Sequence, residues 1–407
     1  MKQSAAATTP PEQRQGVLTG RRNLKMAESA HAYVRGSTVR FYDWLEDSRR
    51  VALPEGPAVW ICGDCHAGNI GPVAGADGSI AVQVRDVDQT VIGNPAHDLV
   101  RLALSLAMAA RGSDLPGVTT ARMLEQMVLG YEQSFDAGEA PDAEAYHAPE
   151  KIRLAMKDAA RRSWRHLAED RIEGVAPAIP LGARFWPLTE TERAAVGELF
   201  AGEAMRELVA SLRSRDAQAR IEMVDCAYWR KGCSSLGNLR LAVLVAVRDG
   251  EGKRPHHCLM DVKEAITAAA PRYAGRRMPR DNGERVVEGA RHLSPHLGRR
   301  MHAARLLGKA VFVRELMPQD LKLDVERLSR EEAGAMARFL AGVVGHAHAR
   351  QMSAAERAVW RAELQRNRSA TLDAPSWLWR AVVELVANHE AAYLEHCRRF
   401  ALRAEAA

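Results

Sequence analysis

Apolar positions switch between helical and strand period repeatedly along the chain. Between Leu24 and Leu45 they recur at helical spacing through "KMAESAHAYVRGSTVRFYDWL", which predicts two short helices. "PAVWICGD" is an apolar run of strand length bounded by Pro57 and Gly63-Asp64, and "SIAVQVRDVD" alternates after the turn "GADG", so a hairpin is expected there. From Asn94-Pro95 the helical period returns in "HDLVRLALSLAMAA", "ARMLEQMVLGYEQSF" and "PEKIRLAMKDAARRSWRHLAE", and residues 95 to about 214 read as almost wholly helical. Thr189 and Glu192 have the spacing of a capping box before "ERAAVGELFAGEAMRELVASLRS". Past Ala217, "RIEMVDCAYWR", "LRLAVLVAVRD" and "HHCLMDVKEA" predict an antiparallel meander, followed by the helix "ERVVEGARHL" and the strand "KAVFVREL". From Ser329 onward the pattern is helical again. Residues 1–20 are polar, contain Pro10-Pro11 and read as a disordered leader.

Composition narrows the class without naming a chemistry. The 407 residues suffice for an enzyme of two lobes, and 47% apolar with 27% charged residues is ordinary for a globular protein. Lys and Arg exceed Asp and Glu by 57 − 51 = 6, spread along the chain, so no nucleic-acid partner is demanded. No run of about 18 apolar residues suggests a membrane span. The N-terminal stretch lacks an apolar export core. The six cysteines do not form a disulfide framework, and a cytoplasmic location is expected.

"ICGDCHAGNI" at Ile61 to Ile70 admits three chemistries. Cys62, Cys65 and His66 have the C-x-x-C-H spacing of covalent haem attachment. They also supply three potential zinc ligands, but no second pair at zinc-finger spacing exists. Haem attachment normally needs export, so no haem is expected. The phosphotransfer reading explains more of the chain. In-line transfer from ATP needs a carboxylate near the attacking hydroxyl, oxygen donors for magnesium and a cation on the donor phosphates. Asp64 and Asn69 supply the first pair, and 17 residues on Asp86 and Asp88 offer hard oxygen donors. Asp86 is the expected metal ligand and Asp88 its helper. His66 is expected to orient the loop, and Asp98 to cap its helix or accept loop N–H groups. His346 and His348, two apart on one helix, are poor metal partners.

"GDCHAGN" followed by "VRDVDQTVIGNPAHDLVRLALSL" resembles the signature of the aminoglycoside phosphotransferase and protein-kinase-like superfamily. More closely, the chain resembles the bacterial family called domain of unknown function 2252, from "KMAESAHAYVRG" through "VKEA", "ERVVEGAR" and "FVREL" to "AHARQM". The resemblance implies Asp64 as catalytic base, Asn69 and Asp86 as magnesium ligands, and Asp98 as a structural carboxylate.

The order of these parts differs from that of a kinase, because the catalytic-type loop precedes the β-rich segment. "YWRKGCSSLGNLRLAVLVAV" is a strand, a Gly-rich turn and a strand, whose Gly232, Ser234, Ser235 and Gly237 can present N–H groups to phosphates. Lys263 falls on the third strand, where a kinase keeps its phosphate-contacting lysine. Glu284 or Glu288 is expected to hold it, Glu288 by preference. The backbone from Glu315 to Met317 is expected to face adenine. The whole is therefore read as an α+β, kinase-like, two-lobed fold in circularly permuted order. Its parts are the leader, a large-lobe part at 21–215, a small β-lobe at 216–318, and a hinge with C-terminal helices at 319–407. The expected function is ATP- and magnesium-dependent transfer of the γ-phosphate to a hydroxyl of an unknown small molecule or protein. Nucleotidyl transfer from the same site and a regulatory nucleotide-binding pseudokinase are the alternatives.

Overall fold

The computed structural model describes residues 9–47, 53–113, 115–136, 148–162, 178–212, 214–232, 236–250, 255–323, 329–366, 368 and 373–405. In chain order the elements are α1 (Pro11–Ala27), α2 (Ala30–Gly36), α3 (Thr38–Asp47), β1 (Val59–Ile61), β2 (Ile70–Ala74), β3 (Ile80–Val84) and β4 (Val91–Gly93). Next come α4 (Pro95–Gly112), α5 (Gly117–Gln133), α6 (Glu150–Arg161), β5 (Phe185–Trp186), α7 (Glu190–Ala201) and α8 (Glu203–Ala210). These lead into β6 (Arg220–Trp229), β7 (Arg240–Arg248), β8 (His256–Glu264), α9 (Asn282–Leu293), α10 (Pro295–Gly298), β9 (Met301–Leu306) and β10 (Lys309–Glu315). The chain closes with α11 (Arg330–Ala349), α12 (Ala354–Gln365) and α13 (Ser376–Glu405).

The fold is mixed α+β. One antiparallel sheet has the order β5-β6-β7-β8-β10-β9, and β1-β4 and β2-β3 form two small antiparallel pairs. β7 lies inside the large sheet and is buried from Arg240 to Val247, which is why it reads as an almost continuous apolar run. The edge strand β9, "MHAARL", escaped sequence reading because only its two ends are buried. Its hairpin to β10 turns through Leu307 and Gly308, both at positive φ.

The helical body centres on α4, which is capped by the Asn94 side chain on the Ala96 N–H and starts with Pro95. Its apolar residues from Leu99 to Leu106 are fully buried beside those of α5 and α11. α5 and α11 approach closely because Gly130 and Gly345 leave room. A Cβ on Gly130 would collide with the Arg338 carbonyl, and one on Gly345 with the Ser134 hydroxyl. The expected capping box at Thr189 and Glu192 is present and starts α7. A second core lies on the sheet and draws on α1, α7 and α8, so its residues come from upstream of 216 as well as from the strands.

The leader reading is corrected at its C-terminal half. Residues 1–8 lie outside the described residues, but α1 begins at Pro11 and is anchored. Arg14 donates to both carboxylate oxygens of Glu192 and lies over the Tyr228 ring, while Leu18 is buried in the sheet-side core. The other end of α1 meets α13, where Tyr393 and His396 bond the carbonyls of Ala27 and Asn23. Polar composition hid this helix because its anchors are few and distant in sequence. Among the described residues no helix is long and apolar enough to cross a membrane.

Candidate functional site

The loop after β1 is held from several sides by buried groups. Gly63 has φ +73°, and a Cβ there would run into the Gln89 carbonyl. Asp98, in the first turn of α4, accepts the N–H groups of Cys62 at 2.7 Å and Gly63 at 3.0 Å. Behind Asp98, His348 Nε2 lies 3.2 Å away, its Nδ1 is 2.8 Å from the Tyr131 hydroxyl, and Trp360 donates to that hydroxyl. Tyr42 donates to the Gly63 carbonyl and Thr90 to that of Ile61. The loop backbone is thereby fixed before any ligand arrives.

Its side chains are placed as well. Arg101, fully buried on α4, directs Nε (3.0 Å) and Nη2 (2.8 Å) to the same oxygen of Asp64 and also reaches the Val34 carbonyl. Asn69 Nδ2 donates to the Asp64 carbonyl, and the Asn69 carbonyl accepts from the Arg85 N–H. His66 is buried with no partner on Nδ1 among the described residues. Burial and the charges of Arg35 and Arg101 hold its pKa well below the usual histidine range, so it is neutral.

The carboxylates expected to hold a metal meet the lysine expected on the third strand. Lys263 Nζ, on β8, lies 3.4 and 3.5 Å from the two oxygens of Asp86 and also contacts Asp88. Burial alone would raise Asp86, but Lys263, a hydrogen bond with Asp88, and Arg314 carry it below the carboxylate range. Burial and then the Asp86 charge raise Asp88. Two residues before Lys263 on β8, Asp261 accepts Arg240 through two bonds (2.8 and 2.6 Å) and Arg314 at 3.3 Å. Arg314 also donates to the Arg85 carbonyl, and Arg285 on α9 to those of Asp88 and Ile266. Asp64, Asn69, Asp86, Asp88, Gln89, Asn238, Glu264 and Ile266 line one cleft.

The remaining expected residues divide. Gly232 and Gly237 have positive φ as the turn requires, and Lys25 on α1 donates to the Gly232 carbonyl. Ser234 and Ser235 lie outside the described residues. Glu288 is not brought to Lys263: it pairs with Arg291 and lies beside His292, because it sits on the outer face of α9. Asp86 and Asp88 hold the lysine instead. Glu315 is turned away from the cleft as well. Its carboxylate is clamped by Arg215 at 2.6 Å twice, its carbonyl accepts from Arg300, and the Leu316 N–H is spent on the Leu259 carbonyl. Met317 gives its carbonyl to the Asp320 N–H.

Sequence reading missed Arg101, Arg240, Asp261 and Arg285. The only signal was that each is a charge within an apolar run or at the end of an apolar helix face. Cys62 and Cys65 are buried against each other, and their mutual hydrogen bond together with burial raises the Cys65 thiol well above its usual range. Among the described residues no three His, Cys, Asp or Glu side chains converge as a metal site. Magnesium asks less of the protein, because it keeps waters and takes phosphate oxygens, and two carboxylates with the Asn69 amide match its hard-oxygen preference.

The family model described as "Uncharacterized protein conserved in bacteria (DUF2252)" matches residues 14–399, and the chain belongs to that family. No curated protein and no solved structure matches it.

Proposed function

We propose that this member of the family is an ATP- and magnesium-dependent phosphotransferase with a kinase-like site in permuted order, acting on a hydroxyl that Asp64 aligns. One observation carries the reading: Lys263, 177 residues downstream of Asp86, lies buried against Asp86 and Asp88, and those two carboxylates line one cleft with Asp64 and Asn69. Phosphoryl transfer needs little covalent chemistry from a protein, so positioning and charge stabilisation suffice. Asp86, Asp88 and Asn69 would hold magnesium, which supplies charge neutralisation at the donor phosphates. Lys263, beside the same carboxylates, would supply the cation that contacts those phosphates. Asp64 is held by Arg101 through one oxygen, which suits it to orient an acceptor O–H.

The test is thermal-shift titration with ATP and magnesium on wild type, Asp86→Ala and Lys263→Ala, followed by label transfer into cell extract. Magnesium-dependent stabilisation of wild type alone, with label arriving from the γ and not the α position, is the expected result. Transfer from the α position would make the chain a nucleotidyl transferase, and stabilisation without transfer a pseudokinase. A wild type indifferent to both ATP and magnesium would sink the reading.

A further inference from the structure

Beside the loop that bears Asp64 and Asn69 stand three cations, Arg35, Arg85 and Lys322, none of which forms an ion pair with a described acidic side chain. Arg35, on α2, is partly buried, makes no hydrogen bond or ion pair with a described side chain, and has its Nε shut off from solvent. A Cβ on Gly68 would lie 3.6 Å from that Nε and 3.3 Å from His66 Nδ1, the other buried nitrogen without a partner. The guanidinium thus stands over the loop between Asp64 and Asn69. Arg85 lies along the next strand, its Cδ 2.9 Å from a Cβ on Gly71, with Nη2 on the Asp320 carbonyl and Nε buried without a partner. Lys322 follows Leu321, whose carbonyl also faces Gly71, and pairs with no described acid. Burial and the charges of Arg35, Arg85 and Lys25 lower its ammonium pKa, and the charge of Asp86 opposes them.

Buried donors without partners are rare in native proteins. Two of them, Arg35 Nε and Arg85 Nε, beside a lysine in no ion pair ask for an oxyanion, and the planar guanidinium fork fits phosphate or carboxylate oxygens. Lys263 approaches the cleft from the sheet and is engaged with Asp86 and Asp88. Arg35 approaches from the helical body, next to Val34, whose carbonyl shares Arg101 with Asp64. The two cationic groups therefore belong to different elements, Arg35 beside the loop of Asp64 and Lys263 beside Asp86 and Asp88.

We propose that Arg35, with Arg85 and Lys322, binds an anionic group of the acceptor, a phosphate or carboxylate carried on the molecule whose hydroxyl Asp64 faces. Calling that ligand an acceptor rests on the phosphotransferase reading; the anion site rests on the cluster itself.

Calorimetric titration of the full chain separates the two. In the first arm, inorganic phosphate is titrated into nucleotide-free wild type, Arg35→Gln and the exposed-site variant Lys322→Ala. Saturable binding that weakens about ten-fold in Arg35→Gln and several-fold in Lys322→Ala is expected. No saturable binding, or equal binding by all three, overturns the site. In the second arm ATP with magnesium is titrated. Affinities within about two-fold of wild type in both variants assign the site to the acceptor, whereas a ten-fold loss gives the cluster to the nucleotide's own phosphates and overturns the proposal. Phosphate binding that depends on Arg35 in a protein that ignores ATP and magnesium would count against the phosphotransferase reading and leave the anion site standing. Circular dichroism of both variants checks that they fold.

Discussion

Asp64 has one carboxylate oxygen on Arg101 and lines the cleft with its residue. Two guanidinium bonds to one oxygen hold that oxygen from two directions, a geometry that an ammonium does not reproduce. Arg101→Lys keeps the charge and loses that geometry. On the phosphotransferase reading its turnover should fall by about 10²-fold while ATP affinity changes little, measured by steady-state kinetics beside calorimetry. Another residue-scale expectation concerns acid stability. His389 is fully buried, and burial followed by the charge of Arg101 lowers its pKa from 6.5 to about 3. A histidine with a depressed folded-state pKa favours folding above its unfolded value and loses that contribution as pH falls below about 6.5 toward its folded value. Urea midpoints should therefore drop on acidification from pH 7 to pH 5, with a limiting slope near 1.4 kcal/mol per pH unit for this group. His389→Gln should flatten that slope. An unchanged pH profile would remove the histidine from the account. Asp64, Asn69, Asp86 and Asp88 were legible as a group because their types and short spacing stand out in the sequence, and the fold brings them to one cleft. Arg101 was not, since nothing local marks which arginine a carboxylate will meet.

At the scale of elements, contact between α5 and α11 is set by the absence of side chains. Gly130→Ala must push its methyl into the Arg338 carbonyl, backbone that cannot rotate away. We expect a loss of about 3 kcal/mol by chemical denaturation, where the same change at the open Gly112 should stay within about 1 kcal/mol. α1 is the element that sequence periodicity undervalued. Leu18→Ala should cost about 3 kcal/mol, because Leu18 is buried in the sheet-side core, and urea titration beside wild type checks it. A cost under about 0.5 kcal/mol would mean that α1 adds little to the fold. The helices from α4 to α5, the capping box of α7 and the β6-β7-β8 meander were all readable from period and caps. β9 was not, because an edge strand buries too little to impose an alternating pattern.

For the whole molecule, the joint between sheet and helical body passes through the cleft. Lys263 belongs to β8 and its carboxylates to the segment after β3. Lys263→Met would leave Asp86 and Asp88 facing each other without their cation. With Asp86 still open to water, the expected loss is about 2 kcal/mol. Magnesium should restore part of it, so the gain in Tm on adding magnesium should be larger in the variant than in wild type. An equal gain would argue that the carboxylates hold no metal. By itself the sequence determined the element types, the loop from Asp64 to Asn69, the carboxylates at 86 and 88 and the candidate lysine, because each follows from local period or from residue chemistry at short range. Tertiary structure alone decided that Asp86 and Asp88, and not Glu288, hold Lys263, that Glu315 turns to Arg215, and that Arg35 is left without a counter-charge. Those pairings join residues 100 to 177 apart in the chain, and His348 with Asp98 spans 250; burial selects such partners only once the chain has packed.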